Sequence, residues 1–389
     1  MWHRLFRSKH TRDLGLGLAL LLTTLGFLLF PKECVAAGKT GLELCYNVII
    51  PSLLPFFVLS SLVVDLGFAG YLGRALEKVM RPLFRVGGSC ASALALGFVG
   101  GYPVGARTAI SLYREGMCTR TEAQRMLAFC NNSGPAFILG VVGAGVFADS
   151  KVGLLLYLAH MLASCLVGIL FRFYGPREEG GATRAAPSFQ VKRFGAAFTQ
   201  AVTGAMSSTL GICAFVIFFT VILRLLALSG VLPGTALLLS RLLEPLGMTE
   251  TWCQKLLTGL VELTSGVSGL TQGGSLAGSV SMAAFMLGWA GVSIHCQVLS
   301  FLADSGLSSG TYLVGKLLHG GISAAIVWGF TRLFPLSAPV GAFLSEQVDD
   351  LARLDFATAL TGSVALCWCV LLIFFFFAIF CSRRKKGVL

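Results

Sequence analysis

Charge is what this chain has least of. Asp, Glu, Lys and Arg together make up 12% of its 389 residues, about half the share of roughly 25% that covers an ordinary soluble domain. With 55% hydrophobic residues and a mean hydropathy of +0.81, the composition is that of a polytopic membrane protein. Acidic residues are the scarcer sign, 18 against 30 basic ones, for a net charge of +12. That excess does not point to nucleic acid, because the Lys and Arg sit at the ends of apolar runs and form no stripe interleaved with aromatics; membrane topology accounts for them.

Other absences narrow the chemistry. The twelve cysteines contain no CxxC pair and lie scattered, mostly within apolar runs (Cys165, Cys213, Cys367, Cys369). This excludes a disulfide framework or a zinc site and leaves small buried side chains. GxxxxGK[ST], GxSxG and HExxH are absent, so neither nucleotide-hydrolysing nor hydrolytic machinery is visible. No enzyme, cofactor or metal is expected.

What is present is a series of apolar runs bounded by basic ends. Arg4, Arg7, Lys9 and Arg12 precede the run Leu14 to Phe30, which places the N-terminus in the cytoplasm. A cleaved signal peptide is the rival reading, since small residues follow at Val35-Ala36-Ala37. The run is longer than the roughly 7–15 residues of a usual signal core, which favours an uncleaved span. A second run, Leu42 to Leu66, holds Pro51 and Pro55 and returns to the basic segment Arg74 to Arg85.

Ser89 to Tyr113 is apolar, but Gly100-Gly101-Tyr102-Pro103 splits it and basic residues flank both ends. Each half is too short to cross about 30 Å of hydrocarbon, so a re-entrant hairpin with its tip at the split is expected. Thr119-Arg120-Thr121-Glu122 reads as a capping box. The helix it opens meets Cys130-Asn131-Asn132-Ser133-Gly134-Pro135, then reaches a tight turn at Asp149-Ser150, and Val152 to Phe173 crosses back. Freed backbone at membrane depth needs protein or a wet cavity around it, so this break reads as a discontinuous helix at a solute site.

After a polar, basic linker, Gly175 to Arg193, the pattern recurs. A span at Ala205 to Leu228 leads to an amphipathic segment, Leu237 to Leu246. A second broken element, Cys253 to Leu276, is interrupted from Glu262 to Gly269. A further span, Gly278 to Leu302, carries the break Trp289 to Ser293, and Thr311 to Phe334 closes the half. Ser345 to Leu354 reads as surface-lying. Phe356 to Cys381 is the last span and ends in Arg383-Arg384-Lys385-Lys386, which keeps the C-terminus cytoplasmic. Written without gaps, Gly153 to His160 and Tyr312 to His319 set one histidine over the other, with Ser164 over Ser323 and Phe171 over Phe330. Arg81-Pro82-Leu83 likewise resembles Glu244-Pro245-Leu246. Repeated order with weak identity is the usual form of transporter repeats. Entry from opposite sides makes the halves inverted.

The expected fold is therefore an all-α polytopic membrane protein of about eight transmembrane helices and two re-entrant hairpins, an inverted repeat with broken helices. Its parts are a basic segment and first span (1–41), a first repeat (42–174), a cytoplasmic linker (175–193), a second, inverted repeat (194–335), and a last span with a basic tail (336–389).

Candidate site residues cluster at the breaks: Gly101, Tyr102 and Pro103 at the first tip, and Asn131, Asn132, Ser133 and Gly134 in the first broken helix. The amides and hydroxyl either line a cavity or bond neighbouring helices. Arg107, the basic residue close to the tip, either meets an anion bidentately or snorkels to the interface. Glu262, beside Thr264 and Ser265 in the second hairpin, is an intramembrane carboxylate; it binds a cation or proton, or pairs with Arg107 across the pseudo-twofold. His295, after the second break, is a solute or proton residue or a satisfied core histidine. His160 and His319, at matching positions, have a paired structural or gating role.

The motif Gly100 to Arg107, followed by Phe129 to Pro135, resembles the signature of the YlbJ family of sporulation integral membrane proteins, within the wider nucleoside-recognition or Gate-domain group. The resemblance runs from about the second span to the seventh. It implies a role in endospore formation in a Gram-positive bacterium and passage of dipicolinate, a small dianion, through the mother-cell-derived outer forespore membrane. It also implies a fold related to concentrative nucleoside transporters. On this reading Arg107 and the half-helix ends around Asn131 to Pro135 hold the carboxylates, and Glu262 with Ser265 supplies the opposing wall. The implied partners are a small anionic solute and the lipid bilayer, with a homo-oligomer and other sporulation proteins left open. A cation-coupled nucleoside carrier and a non-transporting scaffold for a sporulation complex stand as alternatives.

Overall fold

The computed structural model describes residues 9–65, 76, 78–176, 194–271, 275–334, 361 and 368. Among them the regular structure is entirely helical. The expected linker, the surface-lying segment, the last span and both basic termini lie wholly or mostly outside the described residues.

The chain opens with α1 (Lys9–Leu29), turns through 99° at Phe30 and restarts as α2 (Pro31–Leu44). Pro31 suits a first helical position, where its missing N–H would have had no partner. This helix starts well before the apolar run at Leu42 and continues through a π turn, Cys45–Ile49, into α3 (Ile50–Asp65). The wider π spacing falls where Pro51 removes a donor from the ladder.

Next come α4 (Ala91–Gly100) and α5 (Val104–Arg114), the expected hairpin. The first broken helix consists of α6 (Arg120–Phe129), an irregular stretch, and a π helix (Ala136–Val146). α6 carries Arg120, Glu122, Gln124 and Arg125, so neither half of this element is long and apolar enough to cross alone. α7 (Ser150–Phe171) runs back. The capping box is present: Thr119 accepts from the amide of Glu122, and Glu122 accepts from that of Thr119. Asp149 caps α7 through the amides of Lys151 and Val152.

The second half repeats the order. α8 (Phe194–Leu228) and the partly exposed α9 (Val231–Leu242) precede a second hairpin, α10 (Glu250–Val261) and α11 (Leu263–Ser268). The second broken helix is α12 (Leu276–Trp289) and α13 (Val292–Leu302), and α14 (Ser309–Leu333) closes the half. Among the described residues, four helical segments (150–171, 194–228, 276–302 and 309–333) are long and apolar enough to cross a membrane. Counting each of two bent pairs as one span raises this to six.

Packing follows the repeat. α2 and its π turn run antiparallel to α8: Gly38 faces Val221, Gly41 faces Ile217, and the Cys45 thiol lies 3.6 Å from the Cys213 carbonyl. In the first hairpin Gly97 and Gly105 lie against one another and clasp the Cys130 carbonyl; a Cβ added to either would lie 1.8 or 1.9 Å from that oxygen. In the second hairpin Gly259 and Gly266 meet in the same way, with the Met286 side chain against them.

One basic residue near the polar end of the first broken helix is not at the surface. Arg125 is buried, and its guanidinium donates to the carbonyls of Arg85 at 2.7 Å, Tyr174 at 2.9 Å and Pro176 at 3.2 Å. It ties the start of the first broken helix to the end of α7, compensating carbonyls that a helix end leaves unpaired.

Candidate functional site

Each break exists because its local residues cannot continue a helix. In the first, Gly101 has φ 73°, and Asn131 to Gly134 run without helical pairing until Pro135 starts the π helix. In the second, Ala290 and Gly291 take φ 85° and 87°. Alanine in that region costs on the order of 1–3 kcal/mol and persists because its surroundings hold it; Ala290 is fully buried. Hairpin tips and breaks meet in both halves: Gly101 touches Gly134, and Gly291 lies against Leu263 and the carbonyls of Gly259 and Val261.

Between the halves is a partly open cavity, where about 530 Å³ of space not filled by protein atoms includes open solvent. Gly101, Tyr102, Ser133 and Gly134 face it from the first half, and Glu262, Thr264, Ser293 and Gln297 from the second. Ile49 and Leu53 on one long helix, with Ile212 and Val216 on the other, form the apolar wall. The π helix, α5 and α13 all begin beside this space, so three helix N-termini present their positive ends to it. The Gln297 amide nitrogen is buried without a hydrogen-bond partner.

The other candidates lie nearby rather than on the lining. Asn131 and Asn132 are fully buried; Asn131 donates to the Tyr312 hydroxyl at 3.4 Å and Asn132 to the Phe129 carbonyl at 3.0 Å, and both side-chain oxygens lack partners. His295 packs edge-on against Trp289 and bonds the Tyr312 hydroxyl through Nδ1 at 2.9 Å. Pro103 and Ser265 stand next to lining residues. Glu262 is spent locally: its carboxylate accepts from the amides of Thr264 at 3.1 Å and Ser265 at 2.6 Å and so caps α11. The expected pairing with Arg107 is not made. Arg107 is exposed on α5, where its guanidinium donates to the Ser208 hydroxyl at 3.4 Å and lies 6.0 Å from the Phe301 ring.

Sequence reasoning overlooked Lys316 and Gln297. Lys316 is 1% exposed in the middle of α14, and a lone lysine within an apolar 25-residue helix is itself the signal. Ser293 and Gln297 are four residues apart on α13 and so share the face that looks into the cavity.

Comparison with known proteins fits this architecture. The sporulation integral membrane protein YlbJ of Bacillus subtilis (strain 168) is 32% identical over 315 residues, covering 76% of this chain and 77% of that protein. The chain belongs to the YlbJ family. Residues 47–177 of this YlbJ relative match the family model described as Gate, nucleoside recognition; they hold the first hairpin and the first broken helix. Its fold is similar to that of CNTnw solved in an inward-facing substrate-bound state, with a TM-score of 0.50, 14% identity, and coverage of 86% of this chain and 89% of that one. The YlbJ relative is therefore an integral membrane protein whose fold is similar to that of CNTnw.

Proposed function

We propose that this protein carries a small anionic metabolite, most specifically dipicolinate, across the mother-cell-derived outer forespore membrane, and that the cavity between the halves is its binding site. The observation that carries the reading is the convergence on one space of both hairpin tips, both helix breaks and three half-helix N-termini. Irregular backbone at membrane depth is tolerated where it lines a cavity, and N-terminal half-helix ends favour anionic groups. The lining presents no basic side chain. The anion would be held by the hydroxyls of Ser133, Thr264 and Ser293, by the free amide of Gln297, and by the positive charge of Lys316 behind Tyr102.

One observation favours a second reading, a nucleoside cargo. Hydroxyl and amide side chains between apolar walls also suit a neutral polar solute with a flat ring. Uptake of labelled dipicolinate and of labelled uridine into proteoliposomes separates the two. Saturable dipicolinate flux that uridine does not inhibit supports the first reading. Uridine flux alone supports the second. Flux of neither, by protein with intact thermal unfolding, supports a non-transporting scaffold.

A further inference from the structure

The ammonium of Lys316 lies at the first residue of the broken-helix break. Gly315 explains how it gets there: a Cβ added at that position would lie 2.2 Å from the Ala128 carbonyl, so glycine lets α14 press against the last turn of α6. Nζ of Lys316 then donates to the main-chain carbonyl of Asn131 at 2.9 Å and to the Tyr102 hydroxyl at 3.0 Å, and lies 3.4 Å from Nδ1 of His319.

Each of these partners is an acceptor. The Tyr102 hydroxyl spends its own proton on the Leu287 carbonyl. His319 gives its Nε2 proton to the His160 carbonyl at 2.9 Å, which leaves a lone pair on Nδ1. Three acceptors around one nitrogen match an ammonium, which has three donors and nothing to accept with. No carboxylate pairs with it among the described residues. Its compensation is the C-terminal end of α6, where unpaired carbonyls carry the negative end of the helix dipole.

Unwound carbonyls and half-helix C-termini beside a solute site are where secondary transporters hold a coupling cation. We infer that the Lys316 ammonium occupies that place as a tethered cation, so that solute binding and flux need no Na⁺ or other small metal cation. The device belongs to one half alone, because the repeat register sets Tyr157 over Lys316. The flux consequence rests on the transport reading; occupancy of the break does not.

The test compares the purified full-length parent with Lys316→Ala in NaCl, KCl and choline chloride at equal ionic strength. It reads the thermal unfolding midpoint and, in proteoliposomes, dipicolinate flux. The parent should give the same midpoint and flux in all three salts. Lys316→Ala in choline should unfold at lower temperature and lose about tenfold or more in flux, since buried acceptors are left unpaired, and NaCl or ethylammonium chloride should restore part of both. A parental midpoint or flux that rises with Na⁺ overturns the inference, as does a Lys316→Ala protein equal to the parent in choline. If the variant cannot be purified, the parental comparison decides alone. If the parent carries no dipicolinate, the transport reading fails while the salt dependence of the midpoint still judges the lysine.

Discussion

His160 and His319 stack with ring centroids 4.2 Å apart and planes inclined at 41°, and Nε2 of His319 donates to the main-chain carbonyl of His160. These are the residues that the repeat register sets over one another, and contact between equivalent positions is what residues beside a twofold axis would make. Ser164 and Ser323, equivalent in the same register, are likewise fully buried. The pair also reaches the site, because Nε2 of His160 accepts the Ser133 amide at 3.0 Å.

That last bond yields a first prediction. His160→Phe leaves the Ser133 amide buried and unpaired, at a cost of about 1–3 kcal/mol, and loosens the break. The thermal unfolding midpoint should fall, whereas His160→Gln, which restores an acceptor, should recover much of it. A midpoint unchanged in His160→Phe would remove the histidine from the support of the break.

The clasp of Gly97 and Gly105 on the Cys130 carbonyl yields a second. Gly97→Ala inserts a methyl 1.8 Å from that oxygen, so hairpin and broken helix must separate. Overpacking of this kind costs about 1–3 kcal/mol or more. Gly15→Ala, where an added Cβ meets nothing within 4 Å, serves as the control. Protein level and unfolding midpoint should drop for the first and hold for the second.

Arg107 carries a third. Arg107 is exposed beside Ser208 and Phe301, so if the cargo is the proposed anion its guanidinium would attract it toward the site rather than grip it inside, an effect that salt screens. Arg107→Gln should raise the half-saturating dipicolinate concentration several-fold at low ionic strength, leave maximal flux close to parental, and differ little from the parent at high salt. Arg107→Lys should restore the parental value. Loss of maximal flux at every salt concentration would place the guanidinium in contact with the cargo.

Topology gives the fourth. Arg125 binds the carbonyls of Tyr174 and Pro176, so the start of α6 and the end of α7 share one end of the molecule. α7, with its 22 residues, puts Ser150 about 33 Å away at the other end. The positive-inside rule assigns the basic end to the cytoplasm. With native cysteines replaced, an impermeant maleimide added outside should label a cysteine at position 150 and spare one at position 115. The reverse pattern would invert the molecule.

Much of this was legible because punctuation in an apolar sequence is costly and therefore informative. Gly100 to Pro103, Asn131 to Pro135, Glu262 and Ala290-Gly291 each marked a true interruption, and Thr119 with Glu122 marked a true start. Direction was harder to read. Arg107 lies only a few residues past the tip, but nearness in sequence does not say which side of α5 it occupies. Glu262 drew notice as an intramembrane carboxylate and proved to cap the short helix that follows it. Lys316 meets the same criterion, a lone lysine inside an apolar helix. The π form of 136–146 leaves no sequence trace, since shifting a hydrogen bond by one residue does not alter an unbroken apolar run.

Equilibrium binding of labelled dipicolinate to the purified parent and to Gln297→Ala decides whether the cavity between the halves is the solute site. Gln297 faces the cavity with a free amide nitrogen. The parent should bind saturably, and the variant more weakly by about 1–3 kcal/mol, or roughly fivefold to 150-fold, with the unfolding midpoint unchanged. Parental affinity in Gln297→Ala, or no saturable binding by the parent, would contradict that assignment.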